Sequence, residues 1–111
     1  MGQYERIDNV ERFEDMEVKF SIYFEGLNIV FERLSEDALY VKAMGEIHSS
    51  TGTELEQDID IIVTAFNEED EVIGTGSQWF DEDSFFNLAP LDLSVEVMKK
   101  PAKVRIYPKA G

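Results

Sequence analysis

Residues 55–66, LEQDIDIIVTAF, put Leu55, Ile59, Ile61, Val63 and Ala65 on one side of an extended chain and Glu56, Asp58 and Asp60 on the other. Period two is the spacing of a β-strand, whose successive side chains point to opposite faces. The stretch therefore predicts a half-buried strand that becomes more apolar toward Phe66.

The alternation recurs on either side. In 38–47, Leu39, Val41, Ala43 and Ile47 oppose Tyr40, Lys42 and Glu46; near the end, Leu91, Leu93, Val95 and Val97 oppose Asp92, Ser94 and Glu96. Val104 and Ile106 face away from Lys103 and Arg105. Upstream, Val18, Phe20, Ile22 and Phe24 alternate with Lys19, Ser21 and Glu25, and Leu27, Ile29 and Phe31 continue beyond Gly26. A glycine there supplies the positive φ of a tight turn or bulge, so the two runs form a hairpin or one bent strand. Residues 72–78, VIGTGSQ, read as a weaker strand whose Gly74 and Gly76 mark an edge, a bulge or a close approach to another backbone.

Turn-forming clusters at 34–39, 48–54, 67–71, 81–84, 88–90 and 99–102 separate these runs. Seven or eight short strands punctuated in this way predict an all-β, antiparallel two-sheet sandwich, with an up-and-down barrel as the alternative. The 111 residues contain no linker or internal repeat and make one domain, residues 1–111. Residues 1–16 stand apart as an N-terminal extension. Asp8 and Glu11 have capping-box spacing with Ile7, Val10 and Phe13 along one side, which reads as a short helix or an added edge strand.

Composition narrows the function classes. There is no cysteine, so disulfides and thiolate metal sites are excluded. The formal net charge of -14 argues against nucleic acid, whose phosphates it would repel. The charged N-terminal segment is unlike a signal peptide, and the absence of a long apolar run predicts a soluble chain without a membrane span. From Glu36 to Glu96 there are 16 acids and one base, Lys42, whereas Lys99, Lys100, Lys103, Arg105 and Lys109 form a basic end. Such placement predicts pairing of the last strand with acidic neighbours, or a polar molecule that docks a basic partner or stacks head to tail.

The run Glu68, Glu69, Asp70 and Glu71 raises the question of a metal loop. An EF-hand frame on 67–78 puts Asn67, Glu69 and Glu71 at the first ligand positions, but Val72 stands where the turn glycine is required and Gln78 where the bidentate glutamate closes the loop. A hairpin tip is the better reading, with Asn67 or Asp70 adopting a left-handed backbone. The alternative is a calcium site that joins Asn67, Glu69 and Glu71 to Asp81 and Asp83 of a neighbouring loop.

Catalytic signatures are lacking. His48, the sole histidine, precedes Ser49 and Ser50 in an expected turn without a nucleophile elbow, and in GTGSQW Trp79 replaces the third glycine of a phosphate loop. A non-enzymatic role is expected. Trp79, Phe80, Phe85 and Phe86 are the candidate interaction surface; most of these rings are expected in the core, Trp79 between the sheets, with one or two left exposed to anchor a protein partner. The Gly74 and Gly76 strand offers an edge for a homo-oligomer.

From Val41 to Val97 the order of features resembles the FxLYD family and related small immunoglobulin-like accessory domains of bacteria and archaea. Gly45, the polar turn from Ser49 to Gly52, the apolar run Ile59 to Phe66, the acidic turn, Val72 to Thr75 and Pro90 take the family's places, and the namesake motif stands as Val63, Thr64, Ala65, Phe66 and Asn67. The resemblance implies an immunoglobulin-like sandwich used as an accessory or adhesion-type module, and it brings no catalytic residues.

Overall fold

The computed structural model describes residues 3–111. Eight strands, β1 (Gln3–Arg6), β2 (Val10–Arg12), β3 (Ile22–Ser35), β4 (Ala38–Ser49), β5 (Ile59–Phe66), β6 (Val72–Phe80), β7 (Leu88–Val97) and β8 (Lys103–Ala110), and one helical turn, α1 (Glu14–Lys19), make a β-sandwich. One sheet has the order β1-β3-β4-β7 and the other β2-β8-β5-β6. All pairs are antiparallel except β2 with β8, which is parallel. Among the described residues, no helix is long and apolar enough to cross a membrane.

The two hairpins, β3–β4 and β5–β6, belong to different sheets; β7 then returns beside β4 and β8 beside β5. This puts the alternating apolar rows face to face. Val41, Ala43 and Ile47 of β4, Ile59, Ile61, Val63 and Ala65 of β5, and Val104 and Ile106 of β8 have no accessible surface, and Leu91, Leu93, Val95 and Val97 close the core from β7. Burying one such side chain contributes about 1.5–3 kcal/mol. Leu55 is also buried, but from the loop before β5 rather than from within the strand.

β3 is a single bent strand. Its register with β4 shifts between Glu25 and Asn28, where Gly26 has a φ of 62°. Gly45 lies beneath this bulge, and a Cβ there would stand 3.0 Å from the Glu25 carbonyl oxygen.

The N-terminal segment differs from the predicted alternation. Val18 is 77% exposed on α1, and β3 begins only at Ile22, after Ser21 turns the chain with a φ of 56°. Acidic residues in the first turn, Glu14, Asp15 and Glu17, favour the helix here. The Asp8–Glu11 spacing does not start a helix, because Val10–Arg12 pairs with β8 instead. β1 and β2 thus cover one edge of each sheet, with Ile7 buried at the crossing and its N–H donated to the Ile29 carbonyl. Arg12 donates two hydrogen bonds to buried Glu17, at 2.7 and 3.1 Å, and sits over the Phe24 ring. The bond to Glu17 raises the Arg12 pKa further above its ordinary value. Tyr4 of β1 lies opposite Glu32, and their hydrogen bond raises the phenol pKa.

β6 is an edge strand, as expected, and its glycines serve a close approach between sheets. A Cβ on Gly74 would lie 2.5 Å from the Glu96 carbonyl oxygen of β7 and 2.8 Å from Val97 Cγ1. Gly74→Ala should therefore push backbone against backbone and cost about 1–3 kcal/mol. Urea denaturation checks this: the midpoint should fall at unchanged slope, and an unchanged midpoint would rule out the contact.

Candidate functional site

The acidic run is a hairpin tip. The Asn67 N–H donates to the Glu71 carbonyl, the Asp70 N–H donates to the Asn67 carbonyl, and Asp70 adopts the left-handed backbone with a φ of 61°. The Asn67 side chain organises the turn: Oδ1 accepts the N–H groups of Glu69 and Glu71 at 3.0 and 2.9 Å, and Nδ2 donates to Glu71 Oε1. An oxygen that already satisfies two backbone donors has little left for a cation.

The second acidic loop, Asp81 to Asp83, is also built from within. Asp81 Oδ1 accepts the Asp83 N–H at 3.0 Å, and Asp58 Oδ1 accepts the Glu82 N–H at 2.9 Å. The two loops lie at opposite ends of β6. Nine residues of strand hold them roughly 30 Å apart at about 3.3 Å per residue. Asn67, Glu69 and Glu71 are thus not brought together with Asp81 and Asp83, because a hairpin places its tip and its open end as far apart as its strands are long.

The aromatic residues divide by strand phase. Phe80 and Phe85 are buried and meet edge to face, centroids 6.5 Å apart. Trp79, one residue out of phase with inward Phe80, is 55% exposed on the outer face, and Phe86 is 77% exposed. Trp79 does not pack between the sheets. A tight turn holds Phe86 outward: the Leu88 N–H donates to the Phe86 carbonyl, and Asn87, with a φ of 75°, donates its N–H to the Thr53 carbonyl. A groove of about 240 Å³ beside it is lined by Glu54, Leu55, Glu82, Asp83, Phe85 and Phe86. Leu88 and Tyr23, each 41% exposed, lie opposite one another's neighbour His48 at this same end.

His48 belongs to β4 and not to a turn. Its ring stacks on Tyr23, 5.1 Å between centroids, and its Nε2 meets Glu46 Oε1 at 3.0 Å and Glu25 Oε2 at 3.1 Å. Ser49 points the other way and donates to the Glu54 carbonyl, so it forms no pair with His48. The sequence hid this cluster because the strand extends two residues past Ile47, and Glu25 comes opposite Glu46 only through the bulge at Gly26.

Three bases in and just before the last strand pair with acids of distant segments: Lys100 with Glu5, Lys103 with Asp70 and Arg105 with Glu11. The β-turn end near Lys99 and Lys100 also carries Glu36, Asp37 and Glu68 to Glu71, so it is not a basic pole. Gln78 reaches across to β7, where its amide oxygen accepts the Asp92 N–H at 3.0 Å and its NH₂ donates to the Pro90 carbonyl at 3.4 Å. Part of the β7 edge is thereby occupied.

No protein-family model, curated protein or solved structure matches the chain.

Asn67→Ala leaves two backbone donors at the tip without their acceptor. The cost should be about 1–3 kcal/mol in denaturant melts. The loss should be equal with calcium or with chelator at matched ionic strength; a loss confined to calcium-containing buffer would make Asn67 a cation ligand.

Proposed function

We propose that this chain is a non-catalytic protein-interaction module, an immunoglobulin-like accessory domain of the kind the FxLYD resemblance implies. Its partner is a basic protein segment with apolar anchors, taken at the end of the sandwich that carries Trp79 and Phe86. The observation that carries this reading is that a hydrogen-bonded turn presents Phe86 to solvent beside Glu54, Glu82 and Asp83. Exposed aromatic rings are effective anchors, because they bury a large area with few rotors to immobilise. Surrounding carboxylates add steering and partner selection more than raw affinity. At the same end, Tyr23 and Leu88 are exposed on the outer face of one sheet and Trp79 on that of the other.

Docking at this end is favoured over strand addition at the glycine-bearing corner, where β6 closes on β7 and Gln78 occupies β7 edge groups. The connectivity supports the immunoglobulin-like description: the β3–β4 hairpin lies in one sheet, the β5–β6 hairpin in the other, and β7 and β8 each complete one.

Trp79 is the only tryptophan, so its emission reports on this end directly. A lysine-rich peptide carrying leucine anchors and no tryptophan should shift the emission to the blue and bind more weakly as salt rises. Phe86→Ala should weaken binding about tenfold, or about 1.4 kcal/mol, with little change in melting temperature. Equal binding by Phe86→Ala would reduce the effect to general attraction by the net charge and defeat the proposal.

A further inference from the structure

Glu25 and Glu46 stand directly opposite each other on β3 and β4, on the outer face of the sheet. Like charges in that register are destabilising. Among the ion pairs of the described residues, neither carboxylate meets a lysine or arginine; both converge on the same atom, His48 Nε2, at 3.1 and 3.0 Å. One ring nitrogen carries at most one hydrogen, so at most one N–H serves two carboxylates. The arrangement holds more negative charge and more lone pairs than the imidazole can satisfy.

The positions are fixed by the fold. Glu46 and His48 lie two residues apart on one strand and so share a face. Glu25 is aimed at them by the bulge at Gly26, where β3 crosses tightly over Gly45. Bulges commonly re-aim a side chain beside a functional site. The His48 side chain is only 15% exposed and is backed by the Tyr23 ring, which sets its plane.

We propose that Glu25, Glu46 and His48 bind a zinc-class divalent transition ion. One donor atom from each residue lies within 4.8 Å of the others. Zinc takes nitrogen and carboxylate oxygen at about 2.0–2.2 Å, so tetrahedral ligands stand roughly 3.3–3.5 Å apart. Nε2 stands a few tenths of an ångström inside that spacing from each carboxylate, and rotation of the two exposed glutamate side chains would set the separation between their oxygens. Any proton on Nε2 would pass to Nδ1 or be released to solvent, and the ion would neutralise the opposed glutamates and keep one position for water or a partner's donor. An imidazole ligand selects zinc-class ions over calcium or magnesium, which prefer all-oxygen sets. This site is separate from both acidic loops; Tyr23 belongs to it and to the proposed partner surface, but zinc binding here needs no partner.

The sole histidine gives a clean readout in untagged protein. In long-range ¹H–¹⁵N spectra, zinc should move the His48 Nε2 resonance and saturate at one equivalent, while calcium at equal concentration and ionic strength should leave it in place. Calorimetry should find zinc affinity at least tenfold weaker in Glu46→Gln and in His48→Gln, with Asp83→Asn unchanged; thermal melts of each variant establish that it is folded. An unmoved His48 resonance, zinc affinity retained in folded Glu46→Gln, or an equal response to calcium would each overturn the assignment.

Discussion

The structure depends on one constraint: two sheets, each apolar on one face, must cover those faces with each other. β5 is central to the second sheet, between β8 and β6, and β4 is central to the first, between β3 and β7. Their inward residues, Val41, Ala43, Ile47, Ile59, Ile61, Val63 and Ala65, are wholly buried. A one-residue slip of either strand would turn this row to solvent and bring Asp60, Ile62 and Thr64, or Tyr40, Lys42 and Met44, into the core. Register is therefore fixed, and with it the outer faces. The glycines of β6 belong to the same constraint, because a side chain at Gly74 would hold the sheet corner away from β7.

The strands from β4 onward were legible because period two is strongest where one face is dry and the other wet. The inner rows of β4, β5, β7 and β8 follow it throughout. It misled at Val18, where a spacing compatible with a strand falls on a helical turn, favoured locally by acids at the helix start. Trp79 also went astray, although the signal was present: if Phe80 points in, its neighbour points out. Ile73 is buried ahead of the register shift at Ala65/Phe66, and beyond it the β6 inner row, Gly74, Gly76 and Gln78, carries no apolar side chain before Phe80, so two buried residues seven apart give no consistent period-two phase.

The candidate sites were less legible for a different reason. Acidic clusters are visible in sequence, but whether two of them meet is decided by topology; β5–β6 is a hairpin, which separates its tip from its open end. Asn67 shows the further difficulty that one residue type suits both a ligand and a turn. Here its carbonyl oxygen is committed to Glu69 and Glu71 N–H groups. Glu25, Glu46 and His48 are brought together across a bulge, and a bulge shifts register by an amount that spacing alone does not reveal.

Charge placement ties these findings together. Lys100, Lys103, Arg105 and Arg12 are each engaged by an acid, on the N-terminal segment, α1 or the β5–β6 tip. Apart from Arg12–Glu17, those pairs hold segments distant in sequence against one another, but exposed pairs contribute little individually. Their larger consequence is that few bases are left for Glu54, Glu82 and Asp83 at the opposite end, where Phe86 is also exposed. Repulsion there is tolerable because these acids are solvated and screened over about 8–10 Å. The opposed Glu25 and Glu46 differ, since their backbones are pinned in register and both side chains turn to the same His48 nitrogen. A cation placed between them relieves the repulsion without disturbing the sheet, whereas swinging the carboxylates apart into solvent gives up their shared contact with His48.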